Sequence, residues 1–221
     1  MTAAAPPAPM TIGLLWHSPN SGNLGVGALT LGNIALARKA AAHAGLAPSF
    51  RIIGFADPGR EFYVGGSDVE VMALDGRAML PGGILWRALR GCDVVLDIGA
   101  GDSFTDIYGS KRFAYLWATK LATTLLDKPL VMSPQTIGPF DKPIPRLLAG
   151  HIAERADAVF ARDPQSLAAL AGLAPRAHAQ LATDVAFALP FQPVDHGPGV
   201  HFGINVSGLL FNGGYSGANE F

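Results

Sequence analysis

The segment Asp93-Val-Val-Leu-Asp-Ile-Gly-Ala-Gly-Asp-Ser-Phe-Thr-Asp106 sets a short apolar run directly against a glycine-rich turn. Asp93–Ile98 has the length and the Val/Leu/Ile content of a buried strand. The turn after it lets backbone approach a ligand closely, because glycine carries no Cβ. In an open sheet of parallel strands, ligands gather beyond the carboxyl ends, where such turns lie. The same alternation extends both ways along the chain. Upstream, strands are predicted at Thr11–Trp16 and Ser49–Phe55, with a helix between them over Val26–Ala44 that closes near Gly45. Residues 57–80 read as an irregular excursion with a short strand at Val69–Ala73, followed by a short helix at Ile84–Arg90. Downstream come a helix near Phe113–Leu126, a strand at Leu130–Ser133 and a helix at Ile144–Arg155. A strand at Ala158–Ala161 and a helix at Gln165–Ala171, ended by Gly172, complete the pattern. Strands separated by such helices imply right-handed βαβ units. The predicted class is α/β: a Rossmann-like, mostly parallel sheet with helices on both faces.

Composition narrows the function classes. The 221 residues carry 16 Lys+Arg against 17 Asp+Glu, a formal charge of −1, so the basic face expected of a nucleic-acid binder is not indicated. Hydrophobic residues at 49% and charged ones at 15% exclude disorder for the bulk of the chain. A single cysteine, Cys92, excludes an internal disulfide framework and a cysteine-based metal site, and it is compatible with a reducing cytoplasm. The six histidines are scattered without ligand spacing, so no metal is expected. Thr2–Ala37 contains no Asp, Glu, Lys or Arg, yet Pro6, Pro7, Pro9, Pro19 and several glycines break every apolar run well short of a membrane span. Neither a transmembrane segment nor a secretory signal is predicted.

Residues 1–10 read as a flexible Ala/Pro tail and 11–192 as one Rossmann-like domain. Residues 193–221 read as a linker and the start of a second Rossmann-like domain, opening with a strand at Val200–Val206. A strand with no helix after it suggests that this is the N-terminal part of a longer chain.

Polar candidates follow each strand. His17-Ser-Pro-Asn-Ser-Gly-Asn-Leu-Gly-Val-Gly27 leads into a helix whose N-terminus offers N–H groups to an anion or a hydroxyl, or is simply a capped turn. His17 is either a satisfied turn residue or a ligand contact. Gly99-Ala-Gly-Asp102 begins like a dinucleotide fingerprint, but Phe104 stands at the third-glycine position and Asp102 adds negative charge where a pyrophosphate would lie. A carboxylate there suits sugar hydroxyls or proton transfer, or it caps the next helix. Asp97 reads as structural. Gln135, at a strand end before Gly138-Pro139, can donate and accept in a cleft. Asp163-Pro164 is a cap signature, whereas Arg162 is free to pair with an acid or hold an anion. Asp184 supplies a last acid near the domain boundary.

Taken together, these segments resemble the polysaccharide pyruvyl transferase family. The matching pieces are Asn23-Leu-Gly25 with Ala28-Leu29, Gly99–Asp106, Pro134-Gln-Thr-Ile-Gly-Pro-Phe140, Arg162-Asp163 with Ser166, Thr183–Phe187 and Gly203–Gly208. Two positions depart from the family pattern: Val26 stands in place of a frequent Asp, and Ala100 in place of a glycine. The resemblance implies a two-domain, GT-B-like architecture. It also implies transfer of a pyruvyl group from phosphoenolpyruvate, a donor substrate rather than a cofactor, onto hydroxyls of a glycan or lipid-linked sugar, giving a ketal. Candidate catalytic acids are Asp102, Asp106 and Asp184. Candidate substrate contacts are His17, Asn23, Gly25, Gly101, Gln135, Arg162 and Asn205. The donor's cationic partners are expected largely in the second domain, so the 221-residue chain alone is expected to be inactive if it ends at Phe221. The implied location is the cytoplasm, at the inner face of the membrane if association is peripheral. A GT-B-type glycosyltransferase using a nucleotide sugar, and a non-catalytic carbohydrate-binding domain, are the alternative readings.

Overall fold

The computed structural model describes residues 6–74, 78, 80, 82–99 and 103–204. The chain divides into two compact units, Met1–Pro190 and Phe191–Phe221. The first contains strands β1 (Ala8–Leu15), β2 (Leu46–Gly54), β3 (Val69–Ala73), β4 (Val94–Asp97), β5 (Ser103–Phe104), β6 (Leu130–Ile137), β7 (Ala158–Ala161) and β8 (Ala179–Leu181). Its helices are α1 (Leu24–His43), α2 (Ile84–Arg90), α3 (Ser110–Leu125), α4 (Pro143–Arg155) and α5 (Pro164–Leu173), followed by a 3-10 turn at Val185–Ala188. Seven strands pair in the order β3-β2-β1-β4-β6-β7-β8, every pair parallel, and the two-residue β5 pairs onto the end of β6. The order reverses at β1, the point where doubly wound sheets bind ligands.

Side-chain alternation assigns the layers. Leu15, Ile53, Val95, Met132 and Val159 share one core with Leu85, Leu89, Phe113, Leu116, Ile152 and Leu170 of α2 to α5. Ile12, Leu14, Phe50 and Ile52 point the other way and pack with Ile34 of α1. Helices therefore cover both faces, four against one. On the α1 side, Val94, Leu96, Val131 and Phe160 are only half-buried and line an apolar groove of about 580 Å³.

Several boundaries differ from the sequence reading. Residues 8–10, read as tail, begin β1. Pro9 is tolerated because Ala8–Met10 pair only with β2, while Asp93 and β4 join from Thr11 and Ile12 onward. Strand β6 runs through Pro134 to Ile137 because the register shifts between Met132 and Gln135, placing the proline in a bulge. Helix α1 starts at Leu24, not Val26, because Asn23 caps it. In the second unit, residues 200–204 form no strand, contrary to the expectation for Val200–Val206, and the rest of that segment lies outside the described residues. Within this unit, Gly197 N donates to Asp195 Oδ1 at 2.8 Å, and the rings of His196 and His201 lie 5.4 Å apart.

Helix α1 is seated by a close approach. A Cβ on Gly32 would lie 2.1 Å from the Val185 carbonyl oxygen. Backbone cannot yield as a flexible side chain can, so Gly32→Ala must separate α1 from the 185–188 turn. A loss of about 1–3 kcal/mol of stability is expected, read as a lowered urea midpoint; an unchanged midpoint would show that this contact is not held in solution.

Candidate functional site

The carboxyl ends of β1, β4, β6 and β7 are joined by buried polar groups. Asp97 ends β4 with no exposed surface, and Lys120 of α3, equally buried, places Nζ 3.0 Å from its Oδ1. Lys120 also donates to the Leu116 carbonyl at 3.3 Å and lies 4.4 Å over the Phe104 ring. Burial pushes its ammonium below the usual lysine range, while Asp97 opposes that shift. Gln135 donates through Nε2 to Asp97 Oδ2 at 3.0 Å and to the Asp97 carbonyl at 3.1 Å. Its Oε1 is buried and unpartnered. A Cβ on Gly99, which has φ +63°, would meet that oxygen at 2.2 Å. Gln135 was expected to face a cleft. Instead it is 1% exposed and supports the start of the Gly99 loop from below.

Of the two roles open to His17, the structure places it in internal support. It is fully buried, with Nδ1 donating to the Leu15 carbonyl at 3.1 Å. Its Nε2 then accepts from Asn33 Nδ2 at 2.9 Å, and the same amide donates to Ser133 Oγ at 2.8 Å. Burial lowers its pKa from 6.5 to about 4, so the ring is neutral. The loop beyond it is tied to residues 57–63: the Asn20 amide donates to the carbonyls of Asp57 and Arg60 and accepts from Asp57 N, and Gly22 N donates to Asp57 Oδ2 at 2.7 Å. Asn23 and Gly25 are exposed, but the Asn23 side chain accepts from Gly25 N at 3.0 Å, closing the helix turn.

Asp106 sits inside the fold. It is 4% exposed, and its two oxygens accept from the N–H groups of Asp141 and Lys142, both at 3.1 Å, which fixes the chain entering α4. Asp184 and Arg162 are brought together. Arg162 Nη1 lies 3.4 Å from Asp184 Oδ2 with side chains 30% and 27% exposed, and Asp184 Oδ1 accepts from Ala186 N at 2.8 Å. Arg162 N donates to the Gln135 carbonyl at 3.2 Å, so this ledge adjoins the buried network. Asp163 caps α5 by accepting from Ser166 N at 2.7 Å, as its sequence context predicts. Gly101, Asp102 and Asn205 lie outside the described residues.

Lys120, Asn33 and Ser133 were missed in the sequence. A signal exists for two of them: Lys120 follows Phe113 and Leu116 at helical spacing on the core face, and Asn33 interrupts an apolar helix. Among the described residues, no group of three His, Cys, Asp or Glu side chains could hold a metal ion, and no helix is long and apolar enough to cross a membrane. What the arrangement offers is a half-exposed guanidinium and carboxylate beside a rigid amide-linked floor.

A family model described as polysaccharide pyruvyl transferase matches residues 29–211, and the chain belongs to that family. A search of curated proteins gave no match.

Two outcomes test the buried groups. Lys120→Met leaves an uncompensated carboxylate inside the fold and is expected to cost about 3–5 kcal/mol in urea unfolding. His17 binds its proton near 6.5 when unfolded and near 4 when folded, so its contribution is full above 6.5 and is lost as pH falls toward 4. That loss is about 3 kcal/mol across the window. Unfolding at pH 7 and pH 5 should therefore show a flatter pH dependence for His17→Gln than for the wild type, and equal slopes would refute the buried neutral state.

Proposed function

We propose that this member of the polysaccharide pyruvyl transferase family moves a pyruvyl group from phosphoenolpyruvate to hydroxyls of a glycan or lipid-linked sugar, forming a pyruvate ketal. The observation that carries the reading, beside the family match, is the half-exposed Arg162–Asp184 pair at the carboxyl edge of the sheet. In the proposed reaction a first hydroxyl oxygen bonds to the enol carbon of the donor, and a proton reaches its methylene carbon. A second hydroxyl then closes the ketal as phosphate leaves with the remaining proton.

Each carboxylate oxygen has a second acceptor direction, so Asp184 can take a sugar hydroxyl while it keeps Ala186 N and Arg162. A hydroxyl held this way is oriented for attack and has an acceptor for its proton. Arg162, fixed by that acid, presents its remaining N–H donors to a carboxylate or phosphate. Asp102 stays a candidate acid on its sequence context alone. We assign residues from 193 onward to the start of a second Rossmann-like domain in a GT-B-like arrangement, where most of the donor's cations would lie. The family match supports this by continuing past Pro190 to residue 211. A cytoplasmic location follows from the donor, an intermediate of central metabolism.

The test uses the intact gene product with labelled phosphoenolpyruvate and a glycan acceptor fraction. Phosphate release and a mass gain of one pyruvylidene group on the glycan are expected. Asp184→Asn should lower the rate about 100-fold with unchanged circular dichroism, and Arg162→Met should chiefly raise the KM for the donor. Consumption of a nucleotide sugar in place of phosphoenolpyruvate would overturn the assignment in favour of a glycosyltransferase; saturable glycan binding without any donor turnover would reduce the protein to a binding domain.

A further inference from the structure

Helix α4, about 20 Å long, packs between α3 and α5. Pro145, Ala149, Ile152 and Ala153 form its buried side. Ile144, Leu147, His151 and Arg155, at spacings of three, four and four, form the stripe that points away from the sheet. The stripe begins apolar: Ile144 is 69% exposed and Leu147 73%. One exposed apolar side chain is ordinary, but these two stand on neighbouring turns of a single face. Exposed Ile107 joins them at the same corner. Beside it, Asp106 accepts from the N–H groups of Asp141 and Lys142, and Thr105 Oγ1 donates to the Pro139 carbonyl. The chain before α3 is thereby stitched to the chain entering α4.

Cations surround this apolar spot. Lys142 precedes the helix, Arg146 stands beside Leu147, and Arg155 ends the stripe, all three exposed. Lys142 Nζ donates to Ser110 Oγ at 3.2 Å, and no ion pair among the described residues engages Lys142, Arg146 or Arg155. Glu154, the one acid within α3, α4 and α5, is engaged by Arg176. Asp141 lies before the helix next to Lys142; Asp157 lies beyond its end, where its carboxylate accepts from Leu130 N at 2.8 Å. No acid in the first turn offsets the positive helix N-terminus. The outward face of α4 is therefore cationic around an apolar centre, in a chain whose formal charge is −1.

This combination suits the surface of an anionic bilayer. Apolar side chains enter between headgroups while lysine and arginine stay at phosphate level, and a helix lying flat needs no groove to receive it. A nucleic acid would answer the cations but leave Ile144 and Leu147 facing water. We infer that α4 is a docking surface for an anionic lipid bilayer. Ile144 lies in the first turn of α4, at the carboxyl edge of the sheet where Arg162 precedes α5. On the transferase reading, on which this one consequence rests, the surface selects a lipid-linked sugar over a free glycan as acceptor. The docking itself is measured without substrate.

The intact chain is sedimented with vesicles of phosphatidylcholine alone or mixed with phosphatidylglycerol. It should bind the mixed vesicles at least about tenfold more tightly, and added salt should release it. Each cation near an anionic surface is worth about fivefold in affinity, so Arg146→Gln combined with Arg155→Gln should weaken binding about 25-fold. Ile144→Ser combined with Leu147→Ser, at two exposed positions, should weaken it at least about tenfold, with circular dichroism and the urea midpoint unchanged. Equal binding to the two kinds of vesicle, no sedimentation with either, or wild-type binding by either double variant would each overturn the assignment. Self-association that the serine pair abolishes, without vesicle binding, would overturn it in favour of a second copy of the chain. Vesicle binding without pyruvyl transfer would remove the transferase reading and leave the surface standing; transfer by a protein that ignores vesicles would do the reverse.

Discussion

The Asp97 carboxylate, buried at the end of a central strand, constrains everything around the carboxyl edge of the sheet. A charge with no access to water must find a counter-charge and hydrogen bonds inside the protein. Lys120 supplies the first at Oδ1 and Gln135 the second at Oδ2. Helix α3 must therefore cross with Lys120 directed at β4, which brings Phe113 against Phe104 with ring centroids 5.6 Å apart. Strand β6 must bulge so that the Gln135 amide turns toward Asp97. With Gln135 fixed, the residue after Ile98 has to be a glycine, since any side chain there would occupy the space of the amide oxygen.

The acids near this edge share a habit that composition does not reveal. Asp57, Asp106, Asp163 and Asp184 each accept at least one backbone N–H. They organise turns first. What separates Asp184 from Asp106 is residual exposure and a cationic neighbour, and both depend on contacts far apart in the chain. A carboxylate closed off from solvent and held by two amides is out of a substrate's reach, whereas one that still faces solvent keeps its remaining acceptor directions open.

This explains how far the sequence could be read. Strands β3 and β7 and helix α2 fall where their local patterns place them, because each is bounded by turn residues and long enough to show its period. The Asp163-Pro164 cap is legible for the same reason: it is a local device. Strand β8 is three residues long and half-exposed, too short to display alternation. The prolines at 9 and 134 were misread as punctuation, because tolerance of proline depends on which neighbouring strands pair there. Among the site residues, Arg162 and Asp184 could each be picked out locally, but their meeting across 22 residues could not. The roles of His17 and Gln135 turned on burial, which a motif does not encode.

Asn33 bonds His17 at the end of β1 and Ser133 in β6, two strands that do not pair with each other because β4 runs between them. Its planar amide makes α1 a strut that spans the intervening strand. A displacement of the loop after β1 would therefore pull, through that amide, on Ser133 and the bulge beside it. Slow motions at this edge should then be collective, with helix, loop and bulge sharing one rate instead of fluctuating separately.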